Sequence, residues 1–263
     1  KLKVFHTIHN IAEKETTRHL WLYQKVLFNV FKFKPVAISE VVLQSVKRLY
    51  GNKHSIWITN GNAQIGKTEQ FKNVKKYISL LKKNEETKVI LNIGRIGPEK
   101  NQKMLIEVFN ELVDEGLDAI LIIIGFDETP DQRVLNELKK VGKKGVHIID
   151  RKPNVADYYL NCDVFCLSSI YEGLPITLLE SISLGVISVC TPAGGIPDVI
   201  QDMKTGILAK DFTSECYKEA LHRFFNLNSE KRIEIKNAAQ QLFKSKFTMR
   251  QTANAYINMY INL

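Results

Sequence analysis

Six consecutive residues, Ala119–Ile124, are aliphatic, and Gly125 ends the run. A strand that is apolar at every position must be covered on both faces. That requires a parallel sheet between two layers of helices, and the flanking sequence supplies the parts. Lys88–Ile93 is a second apolar run ending in a glycine, Gly94. Between the runs, Met104, Leu105, Val108, Phe109 and Leu112 fall on one stripe of a helix over Lys100–Glu115. The alternation continues with a helix at Asp131–Val141, a strand at Val146–Ile149, a short helix at Val155–Asn161 and a strand at Asp163–Leu167. A helix at Ile176–Leu184 and a strand at Val186–Cys190 follow. Three helices close the chain, at Ser214–Asn226, Ser229–Lys244 and Thr248–Tyr260. The predicted class is α/β, with Rossmann-like parallel sheets. Ligands of such sheets bind at the strand carboxyl ends, here Gly94-Arg95, Gly125, Asp150-Arg151 and Ser168-Ser169.

Residues 1–66 hold a second, shorter set. Strands are predicted at Leu2–Thr7, Val36–Ser39 and Ser55–Thr59, with helices at about Thr17–Phe31 and at Val41–Tyr50. This is roughly half of another α/β unit, and it should expose a strand edge. The chain does not open with Met, so it is expected to start inside a longer polypeptide. The expected division is a partial N-terminal domain (1–66), a complete Rossmann-like domain (67–246) and a C-terminal helix (247–263) packing back toward the N-terminal part.

Charge follows the same division. The 263-residue chain carries 37 Lys/Arg against 28 acids, a net of +9. Residues 1–66 contain ten of the basic residues and only three of the acids. Such asymmetry points to an anionic partner for that part. The segment 18–34 interleaves Trp21, Leu22, Tyr23, Val26, Leu27, Phe28, Phe31 and Phe33 with Arg18, Lys25, Lys32 and Lys34. This composition suits a helix lying on a membrane surface; the plainer reading is a core-facing helix with a basic outer face. No nucleic-acid motif accompanies the charge, so no nucleic-acid partner is expected. No apolar run approaches the roughly 20 residues of a spanning helix. The four cysteines form no CxxC pair and no zinc pattern, so no metal site is expected. No signal peptide is visible, and the expected location is cytoplasmic, at most against the inner membrane face.

Two motifs carry the chemistry. In Tyr171-Glu172-Gly173-Leu174-Pro175-Ile176-Thr177-Leu178-Leu179-Glu180, Pro175 suits the first turn of a helix and Gly185 its far end. Glu172 then lies in the preceding loop, and Glu180 lies on the second turn. Free amides at Gly173, Leu174 and Ile176 face an anion or a sugar oxygen. The alternative is a capping Glu172 and a surface Glu180. In Gly94-Arg95-Ile96-Gly97-Pro98-Glu99-Lys100, Arg95 offers bidentate phosphate contacts and Lys100 a point charge. Taken singly, each could be a solvated cation. The acidic residues Asp127, Glu128 and Asp131 read as solvated. A rival motif, Gly61–Thr68, fits G-x-x-x-x-G-K-[ST] and precedes a plausible helix, as a phosphate-binding P-loop would.

Together these residues resemble family 4 of the retaining glycosyltransferases, which have the GT-B fold. The resemblance rests on Gly94-Arg95 with Glu99-Lys100-Asn101, Asn154–Asp157, Asp163–Phe165, Ser168-Ser169, Glu172–Pro175, Leu179-Glu180, Gly185, Thr191–Ile200 and Gly206. Upstream, Thr7–Asn10, Ile38–Glu40 and Asn60-Gly61 resemble the second half of the family's N-terminal domain. The resemblance implies a nucleotide-diphosphate sugar donor, with a UDP-sugar expected, and a saccharide or lipid-linked acceptor. It implies that Arg95 and Lys100 neutralise the diphosphate, which would remove the need for a metal or other cofactor. Glu180 would accept the ribose hydroxyls. Glu172, with Gly173, Leu174, Pro175 and Ile176, would hold the transferred sugar. Arg151, Lys152 and Pro153 would form the base loop, and His9 would stand on the far wall of the cleft. No protein nucleophile is implied. Asp150 replaces a common glycine in the base loop, Ser181 replaces a common alanine, and the family's first N-terminal half is absent. A non-catalytic nucleotide-sugar binder is the alternative.

Overall fold

The computed structural model describes residues 3–15, 17–51 and 55–262. The first unit contains β1 (Phe5–Ile8), α1 (Ala12–Glu15), α2 (Arg18–Asn29), β2 (Lys34–Ala37), α3 (Glu40–Tyr50) and β3 (Ile56–Trp57). Its three strands are parallel in the order β1-β2-β3. The outer side of β1 is unpaired among the described residues. The predicted strand start at Leu2 lies outside them. The second strand ends at Ala37 rather than Ser39, because Ser39 caps α3 by accepting the Val42 amide on Oγ.

The second unit runs through α4 (Phe71–Leu81), β4 (Lys88–Ile93), α5 (Gln102–Asp114), β5 (Ala119–Ile124), α6 (Arg133–Val141), β6 (Val146–Ile149) and α7 (Val155–Tyr159). It continues with β7 (Val164–Leu167), α8 (Ile176–Ser183), β8 (Ser188–Cys190), α9 (Ile196–Val199) and β9 (Ile207–Leu208). Its six parallel strands are ordered β6-β5-β4-β7-β8-β9. The order reverses between β4 and β7, which opens a crevice at their carboxyl ends. The strands are buried on both sides, as the unbroken aliphatic runs require: Leu121 to Ile124 are essentially inaccessible. Helix α5 starts two residues later than the periodicity predicts. Pro98–Lys100 form a 3₁₀ turn, and Asn101 adopts a left-handed φ of 51° that breaks the register. Likewise β8 starts at Ser188, because Gly185 (φ 71°) and the Val186 amide, donating to Ser181, still belong to the end of α8.

The chain closes with α10 (Ser214–Phe225), α11 (Ser229–Lys246) and α12 (Met249–Asn262). Helix α12 leaves the second unit and packs on the first. Met259 is buried against Val36 and Ile58, Tyr260 stacks edge-on against Phe5 at 5.2 Å, and the Tyr256 and Thr7 hydroxyls meet at 2.9 Å. The chain therefore crosses between the units twice, and the crossings are hydrogen-bonded to each other. The Asn62 amide donates to Phe247 O (2.8 Å), the Met249 amide to Asn62 O (3.0 Å) and Thr252 Oγ1 to Thr59 O (2.8 Å). One apolar cluster spans both units, from Ile8 and Ile38 through Leu174 and Ile196 to Ile93 and Leu167.

The crossing leaves no room for a side chain at Gly61, where a Cβ would lie 2.3 Å from Thr248 O. Gly61→Ala should therefore lower unfolding stability by about 1–3 kcal/mol in a denaturant titration. Gly66→Ala, with nothing within 4 Å, should leave it unchanged.

Candidate active site

A cleft of about 630 Å³ lies at the carboxyl ends of the second sheet. The loop after β4 contributes Arg95, the loop after β5 contributes Phe126, the loop after β6 contributes Arg151, Lys152 and Pro153, and α8 contributes Glu180. Three cations thus face one carboxylate across a partly apolar floor. The Arg151 guanidinium sits over the Phe126 ring, 5.7 Å from its centroid.

Arg95 is half exposed and bidentate. Its Nη2 meets Glu99 Oε1 at 2.7 Å and its Nη1 meets Glu128 Oε2 at 3.0 Å. The Glu128 contact, followed by Glu99, holds the guanidinium charge firmly. The acidic loop after β5 is solvated as expected, yet two of its carboxylates are also engaged. Glu128 pairs with Arg95, and Asp127 accepts from Thr129 and from the Leu135 amide of α6. Asp131 takes only a long contact, 3.3 Å, from the Arg133 amide.

Lys100 and Glu172 are separate from that cleft's lining and form the adjoining wall. Lys100 Nζ meets Glu172 Oε1 at 2.7 Å, and Ser169 Oγ donates to the same oxygen at 2.7 Å. Ser168 Oγ donates to the carbonyl oxygens of Lys100 and Asn101, at 2.9 and 3.0 Å, and fixes the turn that carries the lysine. Glu172 is buried, with 9% of its side chain accessible. Beyond it, the backbones of the two units touch. A Cβ on Gly173 would lie 1.9 Å from His9 O, and one on Gly195 would lie 2.3 Å from Gly173 O. His9 therefore does stand against the Glu172-Gly173 turn, with its backbone in contact and its side chain exposed. Pro175 takes the cap position of α8, and the helix begins at Ile176. The first amides of α8 have no partner within the helix.

Glu180 lies four residues into α8 with a different environment. Burial raises its carboxyl pKa, and hydrogen-bond donors on Tyr159 and Asn62 oppose that rise. The Tyr159 hydroxyl donates to Thr177 O at 2.9 Å and reaches Glu180 Oε2 at 3.3 Å. Asn62 Nδ2 is buried and has no partner at hydrogen-bond distance. Sequence patterns did not single out Phe126, Tyr159 or Asn62, whereas Ser169 stood among the strand-end residues. Phe126 alone had a local signal, because it follows the glycine at a strand end.

The Gly61–Thr68 stretch does not build a phosphate cradle. Residues 63–68 contain no helix, and α4 opens only at Phe71. A P-loop needs its Lys-Ser/Thr pair at the opening of the helix. Here the Thr68 amide and hydroxyl both donate to Asp157, at 2.9 and 2.5 Å, and the Lys67 ammonium sits over the Phe71 ring at 4.2 Å.

The sequence profile of the glycosyl transferases group 1 family matches residues 73–242. The chain belongs to that family. An uncharacterized glycosyltransferase of Methanocaldococcus jannaschii is 28% identical over 197 residues, covering 70% of this chain and 45% of that protein. The glycogen synthase of Pseudomonas savastanoi pv. phaseolicola is 27% identical over 174 residues, covering 65% of this chain and 35% of the enzyme. The chain thus spans a third to a half of the length of these relatives. The crystal structure of Anabaena HepE in complex with UDP-glucose superposes with a TM-score of 0.84 at 16% identity, over 99% of this chain and 72% of that one. The fold of this group 1 chain is therefore the GT-B type.

Two substitutions separate the linker from a nucleotide site. Lys67→Ala should leave nucleoside diphosphate binding unchanged in a titration. Thr68→Val should destabilise the fold by about 1 kcal/mol. Burial alone would raise the Asp157 pKa, but the Thr68 bonds hold it below the usual carboxylate value. Its contribution to stability is therefore present above the ordinary Asp range and lost as pH falls through the depressed value. Thr68→Val should flatten that acid-side loss in a stability–pH profile.

Proposed function

We propose that this chain is the donor-binding part of a glycosyltransferase that moves a sugar, with retention, from a nucleotide-diphosphate sugar to a saccharide or lipid-linked acceptor. The observation that carries the reading is the cleft at the β4/β7 switch point. It sets Arg95, Arg151 and Lys152 around a half-buried Glu180, beside the Lys100–Glu172 pair. Fixed cations suit a diphosphate, and a carboxylate lacking a cationic partner suits hydroxyl donors. Arg95 and Lys100 take the diphosphate, Glu180 the ribose, and the Arg151–Pro153 loop the base. Glu172 and the amides from Gly173 to Ile176 hold the sugar, with His9 opposite. The bond between the anomeric carbon and the diphosphate oxygen breaks, and its electron pair leaves with the nucleoside diphosphate. The acceptor oxygen bonds to the same face of the sugar, and its proton passes to the departing phosphate. The two cations stabilise the developing charge, so the step is metal-independent. A UDP-sugar is the proposed donor, in keeping with the UDP-glucose complex of HepE.

A thermal-shift panel of UDP-, GDP- and ADP-sugars tests this, because selective ligand binding raises the melting temperature. One class should raise it clearly; no shift with any would sink the reading. Arg95→Ala should weaken the preferred nucleotide about 10–100-fold and Glu180→Ala less, because charge-assisted pairs outweigh neutral ones. Binding should also fall on the acid side, beginning above the usual Glu range, because burial raises the Glu180 pKa.

The acceptor side is proposed to rest on an anionic membrane surface through residues 18–34. Leu22, Tyr23, Val30 and Phe31 are each more than half exposed, beside the exposed Lys25 and Lys32. Apolar insertion combined with lysine attraction is the physics of interfacial helices. Among the described residues, no helix is long and apolar enough to cross a membrane. The chain should co-sediment with phosphatidylglycerol vesicles, less so at high salt, and a Leu22→Ser/Phe31→Ser variant should not. Equal sedimentation of the variant would remove this surface from the account.

A further inference from the structure

The crossing between the units places one side chain in an unusual position. Asn62 is locked through its backbone on both sides, to Phe247 O and to the Met249 amide. Its own Oδ1 accepts the Ala63 amide at 2.9 Å, which fixes the plane of the side-chain amide. The opposite end of that amide, Nδ2, is buried without a hydrogen-bond partner. Buried donors left unpaired are rare in folded proteins. This one stands close enough to Glu180 to favour its ionised form. Among the described residues Glu180 has one donor at hydrogen-bond distance, the Tyr159 hydroxyl, at a long 3.3 Å. An unpaired donor and an under-satisfied carboxylate therefore face each other, one on the inter-unit crossing and one on α8.

We propose that Asn62 is a positioning residue for Glu180: its free amide hydrogen turns onto the carboxylate that holds the ribose, and so ties nucleotide binding to the crossing between the two units. This rests on the donor-site reading above. The amide hydrogen bond orients one carboxylate oxygen and leaves the other for the ribose hydroxyls. It also keeps Glu180 an acceptor where burial favours the protonated form. The remaining charged or titratable groups around it are Tyr159 on α7 and, across the cleft, Arg95, Arg151 and Lys152. On α11, which packs against α8, Gln240 is neutral and bonds Ser183 O.

The test is calorimetric titration of the full chain with UDP, GDP and ADP across pH, with melting temperature recorded on the same samples. For the nucleotide bound most tightly, Asn62→Ala should raise Kd about tenfold. It should also move the acid limb of the binding profile upward by about half a pH unit. The isosteric Asn62→Asp keeps the Ala63 contact but adds a like charge, so it should move the limb further. In a Glu180→Gln background, Asn62→Ala should have no further effect. A uniform loss at every pH, with a lower melting temperature and an unmoved limb, would mean that Asn62 only braces the crossing, and would overturn the proposal. Normal binding by both Asn62 variants, while Glu180→Gln loses it, overturns this inference alone. Normal binding by Glu180→Gln overturns the donor-site reading, and this proposal with it.

Discussion

At Gly173 the two units meet backbone to backbone, Gly194 and Gly195 pack the same turn from within the second unit, and the site depends on that approach. Phantom Cβ atoms there would lie 1.9 Å from His9 O, 1.7 Å from Glu172 O and 2.3 Å from Gly173 O. The Gly195 amide donates to Gly173 O at 2.9 Å, and Asp198, three residues on, accepts the Glu40 amide at the start of α3. The turn holding Glu172 is therefore pinned from both sides before any side chain acts. With that backbone fixed, its carboxylate has one place to go, the pocket made by Lys100 and Ser169. A methyl group at Gly173 would push the first unit away, and one at Gly194 or Gly195 would displace the Glu172-Gly173 turn itself.

The two cations of the motif after β4 behave differently, and exposure explains why. Arg95 sits at the rim, half exposed; its partner Glu128 is half exposed too, whereas Glu99 is only 14% accessible. An exposed pair such as Arg95–Glu128 contributes roughly 0–1 kcal/mol, so an incoming anion can displace it at little cost. Lys100 is four-fifths covered and its partner Glu172 more so. Separating a buried pair leaves an unpaired charge, which is strongly unfavourable. Under the proposed reading, Arg95 is the cation that changes partner when phosphate arrives. Lys100 keeps Glu172 in place while adding its field.

The second sheet was legible because its strands are buried on both faces. Continuous runs such as Ala119–Ile124 leave no periodicity to misread, and the observed strand has the same bounds. Boundaries failed where capping chemistry intervened. Ser39 leaves its strand to cap α3, and Asn101 breaks the start of α5 with a left-handed turn. The short α9 and β9 carry too few residues for any period. Within the site, residues at strand ends were readable because topology alone sends them to the crevice. Tyr159 and Asn62 were not. Asn62 lies near Glu180 although more than a hundred residues of chain separate them, and the crossing brings them together. The Gly61–Thr68 pattern misled for the converse reason. Its letters match a phosphate loop, but Thr68 donates to Asp157, 89 residues away, and the segment stays out of helix.

Helix α8 shows how one short segment can give two carboxylates different chemistry. Glu172 precedes the helix and is ion-paired to an ammonium, so its charge is balanced within the protein. Glu180 lies inside the helix and its nearest donors are neutral, a phenol and an amide, so burial raises its affinity for protons. Environments that separate two acids in this way assign them separate tasks. A carboxylate already matched to a lysine is suited to fixed, oriented contacts. One supported only by weak neutral donors is suited to accept hydroxyl hydrogens from a ligand, which complete the solvation the protein has left unfinished. Among the described residues the cations on the facing loops, Arg95, Arg151 and Lys152, make no ion pair with Glu180, and their field remains for the anionic portion of the same ligand.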